Sequence, residues 1–283
     1  VIENQIKVAG VVVLFNPPSN IIQNINSYFY QIDYLWIIDN SPVNNSELFQ
    51  SLEPSKFSYL PNFNNIGIGA ALNIAAKNAI EQKFDFLLTM DQDSSATPNM
   101  IRKMLDIYTS NDIGIISARH NNKFEIHSSD KGQEDITIVM TAGNLVNLHA
   151  YKQIGGFNEN LFIDYVDHEF CLRLLDKNFR IIKVNNAIIN HTVGNTTEIK
   201  LGFFKIYPTN HDPIRHFYQT RNRFYLKKLY KNKYPLIIKY DMKLFRNNII
   251  KIILFEKNKI NKILMILKGY IHFRKQITGK YPS

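Results

Sequence analysis

Cysteine is nearly missing from this chain. Cys171 is the only one, so no intramolecular disulfide can form and nothing points to an oxidising compartment. Also missing is any run of the roughly twenty uncharged apolar residues that a membrane-spanning helix needs. The first fifteen residues, VIENQIKVAGVVVLF, lack the basic n-region and small-residue cleavage site of a signal peptide, and their apolar run is strand-length. A cytoplasmic address without a membrane crossing is the expectation. No fixed-period repeat or low-complexity block occurs, although asparagine is abundant throughout. Acidic residues are scarce in one region only. Residues 215–283 carry 18 Lys and Arg against Asp241 and Glu256, a net of +16, whereas residues 1–214, with 16 basic and 22 acidic residues, carry −6. A mildly acidic body joined to a strongly basic tail implies two parts with different partners, the tail meeting something anionic.

What is present suffices for one large core or two smaller ones, since 45% of the 283 residues are apolar. Residues 8–15 (VAGVVVLF) and 35–38 (LWII) are short apolar runs closed by Asn16-Pro17-Pro18 and by Asp39-Asn40-Ser41-Pro42, and they read as buried parallel strands. Ile68, Leu72, Ala75, Ala76, Ala79 and Ile80 keep helical spacing within 67–82, and residues 84–90 (FDFLLTM) follow as another strand. Strands alternating with helices predict an α/β fold on a parallel sheet, with ligands beyond the carboxyl ends of the strands. The expected division places a catalytic domain at 1–212 and a basic helical region at 213–283, where Pro213 opens a helix after a loop over 194–213.

Asp91-Gln92-Asp93-Ser94 directly follows an apolar strand. Carboxylates there suit Mg²⁺ or Mn²⁺ bridging to a diphosphate, although a D-x-D alone is equally well explained as a polar turn. Asp39-Asn40 ends the second strand, where an aspartate can accept the imide N–H of uracil or thymine; alone, the pair is usually a turn. In N-N-I-G-I-G-A-A-L-N, residues 64–73, Gly67 and Gly69 allow close backbone approach at a helix start that favours anions, or simply pack that helix on the sheet. Asp164, Asp167 and Glu169 cluster where a loop enters a helix, as caps or as a general base. His191 could bring imidazole to the metal, though a lone histidine is more often structural.

Taken in order, V-V-V-L-F-N-P, I-D-N-S, N-I-G-I-G-A-A-L-N, M-D-Q-D-S, G-G-F-N-E-N-L-F-I-D-Y-V-D-H-E-F-C-L-R, I-N-H and Y-Q-T-R-N resemble glycosyltransferase family 2 over roughly residues 6–230. The likeness is greatest to bacterial rhamnosyltransferases and related galactofuranosyltransferases. It implies a GT-A, Rossmann-like fold: a mainly parallel sheet flanked by helices, here with a basic C-terminal helical appendage. It also implies inverting, metal-dependent transfer from a dTDP- or UDP-sugar, with dTDP-rhamnose favoured, onto a lipid-linked or polysaccharide acceptor. Asp39 would bind the base, with Phe15, Asn16, Asn65, Gly69, Asn73 and Asp91 as further donor contacts. Asp93 and His191 would hold the metal with Asp91 nearby, and Asp167 would be the catalytic base with Asp164 in reserve. Arg221 could add a phosphate contact, or be one more charge on a basic helix. The family's usual T-Y-N opening is Leu14-Phe15-Asn16 here, and Tyr165-Val166 replaces acidic residues that many relatives carry before the base.

Two rivals differ in class. A nucleotidyltransferase would normally show a glycine-rich loop near the N-terminus, and the stretch after Phe15 has none. A nucleic-acid-binding protein could use Tyr218, Phe224, Tyr225 and Tyr230 among its basic residues, but their helical spacing fits a core better. The tail itself, where Ile249, Ile253, Ile260, Leu264, Leu267 and Ile271 trace an apolar stripe among lysines, fits an anionic membrane face, the body or a second subunit alike.

Overall fold

Apolar runs bounded by turn residues become the inner strands of one sheet. The computed structural model describes residues 6–121, 132–191, 199–201, 204–206 and 210–282. The chain forms two units, one of residues 1–159 and 166–192, the other of residues 160–165 and 193–283. The expected boundary at 213 therefore falls inside the second unit, which also claims a short earlier segment.

In the first unit the elements run β1 (Val8–Leu14), α1 (Ile21–Phe29), β2 (Tyr34–Asp39), β3 (Phe57–Pro61), α2 (Ile68–Glu81), β4 (Phe86–Asp91), β5 (Ser94–Ala96), α3 (Met100–Leu105), β6 (Ile113–His120), β7 (Gln133–Asp135), β8 (Asn144–Asn147), α4 (Leu148–Ile154), α5 (Val166–Asp176) and β9 (Arg180–His191). Among the described residues the sheet order is β3-β2-β1-β4-β8-β6-β9-β5, with β7 also on β9. Pairing is parallel from β3 through β4 and between β6 and β9, and antiparallel for β8 against β4 and β6 and for β5 and β7 against β9. The α/β class holds: the long ladders are parallel, and the short strands β5, β7 and β8 add antiparallel ones.

Polar residues explain why the antiparallel strands escape an apolar pattern. Asn144 and Asn147 of β8 are both buried. Asn147 donates to the Ile113 carbonyl at 2.9 Å, and its oxygen caps α4 through the His149 N–H at 2.9 Å. Buried amides are tolerated because each is hydrogen-bonded. Inner strands such as β1 are instead apolar almost throughout, because helices cover both faces. The spacing of Ile21, Ile25, Tyr28 and Phe29 gives α1 one buried face, which joins the core of Val12, Leu14, Leu88 and Ile116.

The second unit contains a hairpin of β10 (Ile199–Leu201) and β11 (Phe204–Ile206), then α6 (Pro213–Tyr230), α7 (Pro235–Phe255) and α8 (Lys259–Arg274). Pro213 does open α6, as its fixed φ favours. Helices α6 and α8 cross closely at Gly269, where an added Cβ would overlap the Phe217 carbonyl oxygen.

Arg221 is corrected by this packing. Its side chain is 2% exposed, and its guanidinium donates to the carbonyls of Gly279 at 2.6 Å and Leu161 at 2.9 Å and to Asn222 Oδ1 at 2.9 Å. The rings of Phe217 and Tyr218 flank it at 5.5 and 5.2 Å. Burial lowers its pKa to about 10, still charged at neutral pH. With its donors committed to the protein, Arg221 has no fork to offer a phosphate. Lysine cannot reproduce this planar fork. We expect Arg221→Lys to cost about 2–4 kcal/mol in urea unfolding, because several buried carbonyls lose their donor. Unchanged stability with weakened donor affinity would restore the phosphate reading.

Candidate active site

The register of β1 builds the site. Leu14 pairs with Asp39 of β2, and Val13 pairs with Asp91 of β4, so three adjacent strands end side by side with a carboxylate on each flank. Such strand spacing is about 4.8 Å. Gln92 then ties two of these ends together. It accepts the Phe15 N–H at 2.9 Å and donates to the Phe15 carbonyl at 3.3 Å, while its own carbonyl accepts from Asn24 at 2.9 Å. Phe15 is left exposed. Asn16, turning at φ 47°, donates its N–H to Ser41 Oγ at 2.7 Å.

Asp39 is wholly buried. One oxygen accepts the Ser41 N–H at 2.9 Å; the other accepts from Asn45 at 2.8 Å and from the Tyr59 hydroxyl at 2.7 Å. Three of about four lone-pair positions are thereby filled, which leaves room for one further donor. Burial chiefly, then the bond to Asp39, push the Tyr59 phenol up to about 12, so it remains a donor at neutral pH. Sequence reasoning missed Ser41, Asn45 and Tyr59 as the setting of this carboxylate; only Ser41 carried a signal, in Asp39-Asn40-Ser41.

The glycine-containing segment is held from within. Asn65 accepts the Gly67 N–H at 2.9 Å, and a Cβ on Gly69 would meet the Asn158 carbonyl at 3.2 Å. Asn73 is corrected as a donor contact. Its oxygen accepts from the Tyr151 hydroxyl at 2.7 Å and the Phe157 N–H at 2.8 Å, and its amide donates to the Phe157 carbonyl at 2.9 Å and to Glu159 at 2.7 Å. All four of its hydrogen-bonding positions are used inside the protein. Gly69 and Asn73 hold the loop over 156–159 against α2.

Asp91 closes β4 and Asp93 stands exposed two residues later. The backbone of His191 pairs with Ser94, next to Asp93, so the chain brings the two predicted metal ligands to neighbouring positions; the His191 side chain lies outside the described residues. Among the described residues no group of three or more His, Cys, Asp or Glu side chains is placed to hold a metal ion. The donor chemistry nevertheless fits: two carboxylates two residues apart at a strand end supply hard oxygens. Tyr28, another residue the sequence did not flag, is buried in α1; burial first and the charge of Asp91 second raise its pKa.

Asp167 and Asp164 separate. Asp167, in the first turn of α5 and 20% exposed, accepts from the N–H and the Nδ1 of His168, both at 2.8 Å. Burial raises the Asp167 carboxyl, but the His168 charge and hydrogen bonds outweigh this and hold it below the usual carboxylate value. It is therefore ionised at neutral pH. Asp164 belongs to the second unit and pairs there with Arg215 at 3.2 Å. Glu169 is committed to Arg173 through both oxygens, at 2.7 and 2.8 Å.

Known proteins resemble this chain in sequence and in fold. The model of glycosyl transferase family 2 matches residues 11–140. The dTDP-rhamnosyl transferase RfbF of Shigella flexneri is 26% identical over 296 residues, covering 95% of this chain and 96% of that protein. The low-salt glycan biosynthesis hexosyltransferase Agl10 of Haloferax volcanii is 25% identical over 284 residues, covering 92% and 88%. Among solved structures, S. aureus TarS 1–349 superposes with a TM-score of 0.61 at 12% identity, covering 95% of this chain and 81% of that one. GalNAc-T7 gives a TM-score of 0.61 at 12% identity over 83% of this chain, which spans only 50% of that structure. Aspartates aligned at the ends of parallel strands, a fold shared with these structures and a match that begins within β1 have one common explanation, a glycosyltransferase domain like that of glycosyl transferase family 2.

Proposed function

We propose that this enzyme moves L-rhamnose from dTDP-rhamnose onto a hydroxyl of a lipid-linked or polysaccharide acceptor, inverting the anomeric centre in one displacement. The observation that carries the reading is the end-to-end similarity to a dTDP-rhamnosyl transferase. The hexosyltransferase relative keeps a second reading open, transfer of another hexose, such as galactofuranose or glucose, from a UDP-sugar. Screening donor hydrolysis with Mn²⁺ present across dTDP-rhamnose, UDP-galactofuranose, UDP-glucose and UDP-GlcNAc separates them, and preference for a UDP-sugar overturns the first.

In this reading the base ring lies by Asp39, which has one acceptor position to spare for an imide N–H, with Phe15 and Asn16 alongside. Asp93 and Asp91, with His191 on the adjoining strand, would hold Mg²⁺ or Mn²⁺. When bound there, the ion neutralises charge growing on the departing diphosphate. Asp167 takes the proton from the acceptor hydroxyl as its oxygen attacks, a contribution of about 10²–10⁴-fold. An ionised carboxylate at the start of a helix is ready to do so.

Three outcomes test these roles. Asp93→Ala should lower transfer at least about a hundredfold and abolish metal-dependent donor binding. Full activity of the parent enzyme in excess chelator sinks the metal assignment. Asp167→Asn should lower kcat about 10²–10⁴-fold with donor affinity nearly intact, while Asp164→Asn has a smaller effect. The reverse pattern moves the base to Asp164. Because the folded Asp167 carboxyl titrates below its ordinary value, its ionised form persists as pH falls through the usual carboxylate range. Its protonation should thus put no acid limb on kcat above about pH 4. A limb between pH 5 and 7 that vanishes in Asp167→Asn would contradict this.

A further inference from the structure

Helices α7 and α8 are apolar on two sides, and only one side of each is covered. Ile238, Phe245 and Ile252 of α7 are buried, the last two clustering with Ile266 of α8. Facing away from these, Ile260, Leu264, Leu267 and Ile271 fall at i, i+4, i+7 and i+11 on α8, one face by helical geometry, and all are exposed, Ile260 to 78%. On α7 the row of Leu236, Tyr240, Leu244, Ile250 and Leu254 is likewise exposed, Leu236 to 80%. Ile253, Ile260, Ile263 and Leu264 with Lys259 line a shallow open groove where the two helices meet. Five and four large apolar side chains in rows exceed the single exposures usual on a soluble surface.

Charge on this surface has one sign. Lys239, Lys243, Lys257, Lys259, Lys268 and Lys275 are all exposed. Both carboxylates of residues 215–283 are turned inward or engaged. Glu256 is buried on the Lys262 ammonium at 2.7 Å, and Asp241 accepts from Arg223 at 2.9 Å and from the Tyr165 hydroxyl at 2.7 Å. No helix is long and apolar enough to cross a membrane among the described residues.

We propose that the exposed face of α7 and α8 docks on an anionic bilayer surface, the apolar rows entering the headgroup boundary and the lysines reaching lipid phosphates. A second copy fits less well, because pairing this face with itself brings together two regions that each carry +16 over residues 215–283. An anionic leaflet instead satisfies both properties at once, since attachment grows with buried apolar area and with each cation near the surface. Long lysine stems can lie along the apolar rows while their ammonium groups reach outward. The inference stands whichever sugar the enzyme moves.

Flotation of the full chain with phosphatidylcholine vesicles, with and without phosphatidylglycerol, tests it. The protein should float with the anionic vesicles at low salt, stay behind with phosphatidylcholine alone, and lose binding several-fold as salt is raised. Leu264→Glu/Leu267→Glu should weaken flotation at least about tenfold, with far-UV circular dichroism and donor hydrolysis unchanged because both side chains are exposed. The proposal is overturned if the parent chain stays in solution with anionic vesicles at low salt, or if the double variant floats as well as the parent. A dimer in light scattering that the double variant splits would give the face to a second copy instead.

Discussion

Pairing of β1 with parallel neighbours on both sides is the constraint on which the site depends. Residues 9–13 are fixed against β2 and β4 at once, and Val13 and Leu14 set Asp91 and Asp39 at the same end of the sheet. A slip of one residue would move Val12 and Leu14 to the sheet's other face, away from the core they share with α1, so the register that packs this core also aligns the carboxylates. Gln92 then carries the alignment past the strand ends by clipping Phe15 through both its amide atoms. The middle residue of the D-x-D group is thus a structural link between two strand ends.

Side-chain amides do similar work elsewhere, which gives the abundant asparagines a physical reason. Phe162, Asp164 and Tyr165 all turn at positive φ, 67°, 59° and 68°. Such conformations cost about 1–2 kcal/mol each for residues other than glycine. They persist because the Asn222 amide donates to the carbonyls of Leu161, Ile163 and Asp164, at 2.9, 2.8 and 2.9 Å, beside the guanidinium of Arg221. On the preceding stretch Asn73 has the same office, gripping Phe157 and Glu159. Gly156 completes that grip, since at φ 76° a Cβ would also press on the Tyr151 hydroxyl at 2.8 Å.

Apolar periodicity made the first half of the fold legible. Strands expected at 8–15, 35–38 and 84–90 and a helix at 67–82 appear as β1, β2, β4 and α2 within a residue or two at most ends. Strand β8 was hidden because two of its four residues are buried asparagines, which break the apolar run that marks the other inner strands. Long-range partners limit the site. Asp39 and Asp91 could be placed at strand ends from their neighbours alone, but Tyr59 reaches Asp39 from twenty residues away with no local sign. Arg221 and Asn73 misled for the converse reason: their side chains could bind phosphate or sugar, and only the packing around them shows that their hydrogen bonds are already made.

The two aspartates near the start of α5 show how partners distinguish chemically identical groups. Asp164 is paired with Arg215, whose guanidinium keeps its charge at any physiological pH, so a proton arriving on that carboxylate must disrupt a permanent ion pair. Asp167 is paired with the adjacent His168 ring, which unlike a guanidinium carries no permanent charge. A base that must gain a proton in each turnover and lose it before the next is better served by a partner whose charge can adjust. Position adds to this, because Asp167 sits in the first helical turn, where the N-terminal dipole favours its ionised form between turnovers. Two carboxylates three residues apart therefore have different settings, Asp164 held by a fixed charge in the second unit and Asp167, in the role proposed for it, free of such a fixed partner.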